Sequence, residues 1–381
     1  MTETATLELG LAGPDGTRMA TVTDQGGLLV HGAIVPAQAH EGDLPLTLDD
    51  IAYLVGTAAR APSVHNTQPW RFRAGGNVID LLADPDRMLK QLDPAGRELL
   101  ISCGAALFGL RLGLRKLGYL PRVTLLPDPA LPWLVARVQP ESRAAATRAE
   151  AELLAAVPHR HTHRGPFAPG EVPARLLAAL RLDAAAEGGE LVLIEQPERV
   201  AALAALVVAA AAEQRTKPEV AEELRRWVQP AGSQARDGVP AHARVGAEHS
   251  VVPPQQAGDT GTGRPGHDRL PQRDFGQVGT EDLGGEPPSA TAVLSTPGDS
   301  PSEWLAAGQA LHRLLLRAAT RWVFASLQSQ PLEIPRYREQ VRADLGLAGH
   351  PQMLLQFGRA NTAAATARRP QSEVMTNDDP G

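Results

Sequence analysis

At 381 residues, 43% of them hydrophobic, the chain can bury one large core or two medium ones. Its net charge of −6 argues against a general nucleic-acid surface, because binding a phosphate backbone draws on clustered Lys and Arg. The one cysteine, Cys103, excludes an internal disulfide and lies in an apolar helical pattern, which reads as a buried thiol and suits a reducing cytoplasm.

Met1–Gly10 has neither the basic start nor the apolar centre of an export signal, and no later run reaches the roughly 18 apolar residues of a membrane helix. A soluble cytoplasmic protein with no membrane or nucleic-acid partner is therefore expected. Residues 1–44 hold two weak strand-like runs and no recognisable chemistry. The first clear element is a helix from Thr47 to about Arg60. Thr47 can cap it with Asp50 at N3, and Ile51, Leu54, Val55 and Ala58 make one apolar stripe. The helix delivers the stretch Ala61–Trp70, where Pro62 and Pro69 fix φ on either side of small polar residues. Ser63, His65, Asn66 and Gln68 together offer donors and acceptors, while Trp70 and Phe72 begin the alternation of a strand entering a core. Ordinary turn chemistry between a helix and a strand reads the same way.

Asn77–Leu82 reads as a strand, and Asp93–Arg97 as a turn before a long helix that ends at Gly118. Leu99, Cys103, Leu107, Leu110 and Leu114 give that helix its apolar face. Arg122–Leu126 and Trp133–Val138 read as a strand pair. A helical connector over residues 140–157 leads into His159-Arg160-His161-Thr162-His163-Arg164-Gly165-Pro166-Phe167. Alternating His159, His161 and His163 could share a strand face and bind a metal, but no carboxylate or thiol lies nearby to complete the set, so no metal site is assigned. A solvated basic turn is a further reading.

Glu190–Ile194 reads as a strand, followed by helices over Pro197–Arg215 and Pro218–Trp227. Residues 231–288 then carry 11 Gly, 7 Pro and a single aromatic, Phe275, in 58 positions, and cannot bury a core of their own. Such a segment is either disordered or a cover over a site. Gly261, Gly263 and Gly266 fit Gly-x-Gly-x-x-Gly, but no strand precedes them and no helix follows, so the match is chance. Regular structure returns with a strand over Thr291–Ser295 and a helix from Ser302 to about Leu327. Here the chain repeats itself: Gly104, Ala106, Leu107, Leu110 and Leu112 align with Gly308, Ala310, Leu311, Leu314 and Leu316. A helix over Arg336–Leu345 and a strand over Pro351–Arg359 follow, and the polar residues beyond are expected to fray.

The stretch Ala59–Trp70 resembles the flavin-contacting loop of the nitroreductase superfamily, and most closely its Acg branch, in which two nitroreductase-like halves are fused. Arg160, Thr162 and Arg164 resemble the first Arg, the Ser and the last Arg of the family's phosphate-gripping Arg-Arg-Ser-x-Arg run, with His161 in place of the second Arg. Gly358-Arg359 resembles the end of its C-terminal flavin-binding strand. The resemblance implies an α+β, three-layer fold, a central mixed sheet between helices, duplicated as an intramolecular pseudo-dimer. It divides the chain into an extension (1–44), a first half (45–140), the start of the second half (141–230), a lid or disordered insertion (231–288), the rest of the second half (289–360) and a disordered tail (361–381). Because the first half keeps the ring-contacting loop and the second the phosphate grip, one composite site is expected, and a monomer, since the duplication supplies the dimer interface.

The resemblance implies FMN as cofactor, held by Ser63, His65, Asn66, Gln68, Arg160, Thr162, Arg164, Gly358 and Arg359. NAD(P)H would be a transient co-substrate, and the acceptor a nitroaromatic, a quinone or a similar small molecule. No obligate catalytic side chain is assigned; His65 is a candidate proton donor. An alternative from the same branch is a protein that sequesters FMN and turns over little. A third class is a small-molecule or metal-binding module without redox chemistry.

Overall fold

Asp50 N donates to Thr47 Oγ1 at 3.1 Å and Thr47 N to Asp50 Oδ2 at 2.9 Å, closing the capping box that starts helix α1 (Leu48–Ala58). The computed structural model describes residues 6–9, 18–22, 28–30, 46–164, 167–230, 232–240, 289–360 and 366–376. Strands β1 (Thr6–Leu9), β2 (Arg18–Val22) and β3 (Leu28–Val30) form an antiparallel meander ahead of α1.

The first half continues with β4 (Trp70–Gly75), β5 (Val78–Ala83), helix α2 (Arg97–Lys116), β6 (Tyr119–Leu125) and β7 (Leu134–Arg143), in the sheet order β4-β5-β7-β6. After α3 (Arg148–Ala156), the second half brings α4 (Ala174–Ala186), β8 (Glu190–Ile194), α5 (Pro197–Arg215), α6 (Pro218–Arg226), β9 (Ala290–Thr296), α7 (Pro301–Ala319), β10 (Val323–Gln328), α8 (Pro335–Leu345) and β11 (His350–Arg359). Its order, β8-β9-β11-β10, repeats that of the first sheet strand for strand, with α7 in the place of α2. All strand neighbours are antiparallel. Single parallel bridges, Phe72 with Met375 and Thr162 with Ala325, attach lone residues to the edge strands β4 and β10, so the sheets themselves are antiparallel where a mixed sheet was expected.

Alternation along the strands sets the layers. Ala292, Leu294, Leu355 and Phe357 face α4 and α7, while Val293 and Leu354 face α5 and α8, so helices cover both sides of the second sheet. Trp70, Phe72, Ile79 and Leu81 bury against α1 and α2, whereas the other face of the first sheet carries the Asp80 carboxylate between Arg73 (2.8 Å) and Arg137 (2.7 Å). Between the halves, α2 and α7 cross in direct backbone contact at Gly104 and Gly308, where only a hydrogen side chain fits. Almost every residue of α2 is buried, Arg97 and Glu98 included.

Two other expectations change. The helix expected to run to about Leu327 stops at Ala319: Thr320 caps it, Trp322 takes φ of +54°, and the β-prone Val323 and Phe324 open β10. The tail expected to fray is ordered over 366–376. Helix α9 (Gln371–Val374) buries Val374 in the first-half core, and Thr376 N donates to Phe72 O at 2.9 Å. Arg369 N also reaches Gln68 Oε1 at 2.8 Å, so this polar segment adds partners across the molecule to those within itself. The same holds for residues 232–240 at the start of the Gly/Pro-rich insertion, where Val239 is buried; the rest of the expected lid, 241–288, lies outside the described residues. No described helix is long and apolar enough to cross a membrane.

Candidate functional site

The C-terminus of α1 hands the chain to the loop that the two prolines bracket, and that loop is strained. His65, Asn66 and Gln68 have φ of +45°, +58° and +50°, conformations that cost a non-glycine residue on the order of 1 kcal/mol or more each. Local bonds hold the turn: Gln68 N donates to Ser63 Oγ at 2.9 Å and Val64 N to Ser102 Oγ at 3.2 Å. Cys103 supports it from below, donating to Pro69 O at 3.3 Å. Burial raises its pKa, which leaves it a protonated structural thiol.

The loop opens onto a cleft between the halves. Pro62, Ser63 and His65, with Glu98 and Ser102 of α2, form one wall. Thr162, His163 and Arg164 form a second, laid along β10 by His163 N donating to Ala325 O at 2.9 Å. Ser326, Gln328 and Gln330 form a third, and the sequence gives no local signal for it. Gln328 Nε2 donates to Ser326 Oγ at 3.1 Å, while Gln328 Oε1 and Gln330 Nε2 are buried without a partner. The Glu98 carboxylate is committed to Arg97 at 3.0 Å.

Beside the cleft lies a concentration of positive charge. Arg160 is 6% exposed; its Nη2 donates to Arg60 O at 3.3 Å, and its Nε and Nη1 are buried with no partner. Desolvation, then the neighbouring Arg164 and Arg60, lower its pKa to about 10, and desolvation brings Arg164 to about 10 as well. Arg368 joins them from the C-terminal segment, its pKa depressed by burial and by Arg160, Arg60 and Arg164. An isolated buried cation is unfavourable without a counter-charge, so such a group is built to receive an anion.

The expected residues divide into two sets. Ser63, His65, Thr162 and Arg164 line the cleft, and Arg160 stands beside it. Asn66 and Gln68 instead spend their amides on the chain. Asn66 Nδ2 donates to Gly238 O (3.1 Å) and Ala367 O (3.2 Å), its Oδ1 accepts from Arg368 (2.9 Å), and Gln68 Nε2 donates to Arg236 O (2.8 Å). Gly358 and Arg359 stand apart from the cleft. A Cβ on Gly358 would lie 2.3 Å from the Phe167 ring, which stacks on His163 at 4.8 Å, and Arg359 Nε turns to Glu171 O at 3.3 Å. Both residues touch the 167–171 segment, where Ala168 N also donates to Arg359 O at 2.7 Å. Among the described residues no three His, Cys, Asp or Glu side chains are placed where they could share one ion. His161 packs on Phe324 at 4.1 Å, and burial lowers its pKa to about 4. His159 stacks on Trp322 at 5.9 Å. Sequence reasoning missed Arg368, which lies in a polar Ala/Arg stretch with no periodicity to mark it.

Fold and cleft together define a fused pair of sheet-and-helix halves sharing one composite, cation-rich site. No family model matches the sequence. The chain is 35% identical over 326 residues to Rv3131 of Mycobacterium tuberculosis (strain H37Rv), provisionally named an NAD(P)H nitroreductase; the match covers 84% of this chain and 88% of that protein. It is 29% identical over 341 residues to a second protein of that strain, acg, named in the same way, covering 87% and 97% of the two chains. Among solved structures, a nitroreductase with bound FMN from Desulfitobacterium hafniense aligns with 60% of this chain and 98% of its own, at 13% identity and a TM-score of 0.35. The FMN-dependent nitroreductase NfnB of Mycobacterium smegmatis, in complex with NADPH, aligns with 61% and 98%, at 18% identity and a TM-score of 0.34. The chain belongs to the NAD(P)H nitroreductase family.

Proposed function

We propose that the composite cleft holds one FMN per chain, and that the protein is an oxidoreductase passing hydride from NAD(P)H to a nitroaromatic, a quinone or a similar acceptor. The observation that carries this reading is the set of buried guanidinium N–H groups left without an acceptor at Arg160, next to Arg164 and Thr162 on the cleft wall. They fit a phosphate ester, which guanidinium forks bind bidentately and a hydroxyl supplements. The unpartnered Gln328 Oε1 and Gln330 Nε2, an acceptor and a donor, suit the imide edge of a flavin ring. The names of the two relatives point the same way.

When bound, FMN supplies the two-electron relay between nicotinamide and acceptor. The chain's own residues bind and orient. The strained loop holds His65 at the cleft, where it can give a proton to a reduced acceptor, and Leu311 and Met353 supply apolar lining that keeps water from the ring. Nicotinamide would approach over the open face and needs no dinucleotide fold of its own. The two halves supply each other's interface, which favours a monomer.

Sequestration of FMN is the second reading, and one feature favours it: residues 236–238 and 367–369 both tie down on Asn66 and Gln68, beginning a roof over the loop. Purified protein should be yellow with about one FMN per chain. Prompt bleaching on anaerobic addition of NADPH supports the oxidoreductase, retention of an FMN that resists reduction supports sequestration, and no flavin after incubation with excess FMN refutes both.

A further inference from the structure

Beyond β11 the described chain resumes against the first half and delivers Arg368, a cation with no ion pair among the described residues. Arg368 Nη2 donates to Ala61 O at 3.2 Å, one peptide on from the Arg60 carbonyl that Arg160 Nη2 reaches at 3.3 Å. Two guanidiniums from distant parts of the chain are thus fixed on consecutive carbonyls of one turn. Arg368 Nη1 is held by Asn66 Oδ1 at 2.9 Å, and Arg368 Nε, like Arg160 Nε and Nη1, is buried without a partner. Glu373, five residues on, pairs with Arg369 (3.3 Å), and two acids of the segments around the site are taken as well, Asp237 by Arg87 (2.8 Å) and Glu98 by Arg97 (3.0 Å).

We propose that Arg368 completes, with Arg160 and Arg164, a three-guanidinium seat for a phosphate monoester or phosphate dianion, and that filling this seat latches the 366–376 segment onto the first half. The coupling follows from charge. Empty, the seat places like charges together and opposes docking of the segment. Filled by a dianion, the same geometry turns repulsion into charge-assisted hydrogen bonds. Linkage is reciprocal, so whatever stabilises the docked segment tightens anion binding by the same factor. The docked state is readable at two amides, Arg369 N on Gln68 Oε1 (2.8 Å) and Thr376 N on Phe72 O (2.9 Å). The dianion could be the ester of a bound FMN or free phosphate. The latch rests on the flavin reading only for that choice.

The test is hydrogen exchange of these two amides in the full chain freed of ligand, then with FMN, riboflavin or inorganic phosphate. FMN should slow exchange about ten-fold or more, saturating phosphate should do the same, and riboflavin, which lacks the ester, should not. Arg368→Gln should abolish the anion-dependent slowing and weaken FMN about ten-fold while leaving riboflavin affinity unchanged; Arg368→Lys should retain part of the slowing. Equal slowing by riboflavin and FMN, or a full anion response in Arg368→Gln, overturns the latch. If neither flavin binds yet phosphate slows exchange, the latch stands and the FMN reading falls. If FMN binds and no ligand slows exchange, the reverse holds.

Discussion

Gly104 and Gly308 occupy equivalent places in the two halves, and each is pressed against the other's helix. A Cβ on Gly104 would lie 2.2 Å from the carbonyl oxygen of Leu305, and one on Gly308 would lie 1.9 Å from that of Ile101. Ile101 and Leu305, each three residues before its glycine, are likewise exchanged, Ile101 packing in the second-half core and Leu305 in the first. The contact is reciprocal, as a two-fold axis between α2 and α7 requires. Alanine at either position must push the backbones apart, and we expect Gly104→Ala and Gly308→Ala each to cost about 3 kcal/mol, with the double variant costing less than the sum because one gap serves both. Urea midpoints of the three variants check this. Flavin retention should fall with them, since Ile101, Ser102 and Leu311 carry the cleft on the same two helices.

The internal repeat was legible at these glycines because two backbones in contact demand the same residue in both copies. It was not legible where the copies chose different residues for one job. Gly118, at φ of +82°, ends α2, whereas the equivalent place after α7 holds Trp322 at +54°, so the end of α7 and the whole of β10 were hidden behind a residue that does not announce a helix stop. The display loop could be read from its prolines and polar side chains. The partners of Asn66 and Gln68 could not, for they lie about 170 and 300 positions away along the chain. Arg368 is the extreme case: its meaning comes entirely from the tertiary placement of Arg160 and Ala61.

His312 should make the protein acid-sensitive. Its Nδ1 contacts Ala105 O at 2.7 Å, and burial, then the charge of Arg160, lowers its pKa to about 3. The folded state thus resists a proton that the unfolded chain takes up near 6.5. This contribution is constant above that pH, and stability falls as pH drops below it, levelling off only near the folded value. His161, at about 4, acts in the same direction. Asp93, raised to about 6 chiefly by burial, acts in the opposite sense, gaining stability as pH falls through that value. Comparison with a variant isolates His312: between pH 7 and pH 5, wild type should lose about 2 kcal/mol more than His312→Phe, from about 1.4 kcal/mol per pH unit below 6.5. Urea unfolding at the two pH values measures the difference, and equal losses would remove His312 from the account.

Gly358 is expected to act on the cleft through Phe167. An alanine methyl there would fall 2.3 Å from the ring, which stacks on His163 beside Arg164. Gly358→Ala should therefore cost about 1–3 kcal/mol of stability and speed flavin release on desalting. Removing the ring removes the clash, so Phe167→Ala should mask it, with the double variant no worse than Phe167→Ala alone. Additive losses in the double variant would show that Gly358 matters for another reason.

Asn66 ties both crossing segments to the loop, and its replacement should be felt in all three places. Asn66→Ala takes the side-chain donor from the carbonyl of Gly238 and one of two donors from that of Ala367, and removes the one acceptor outside residues 366–367 that Arg368 Nη1 has. Unsatisfied buried partners cost about 1–3 kcal/mol, so a clear fall in stability is expected even though Asn66 does not line the cleft. If its effect on FMN runs through Arg368, a cycle of Asn66→Ala, Arg368→Gln and the double variant should be strongly non-additive in FMN affinity, the second change adding little once the first is made. Affinities from fluorescence quenching of added FMN supply the four corners. Additive losses would mean that Asn66 meets the flavin directly, and that the hydrogen bonds to residues 238, 367 and 368 give way when the cofactor enters.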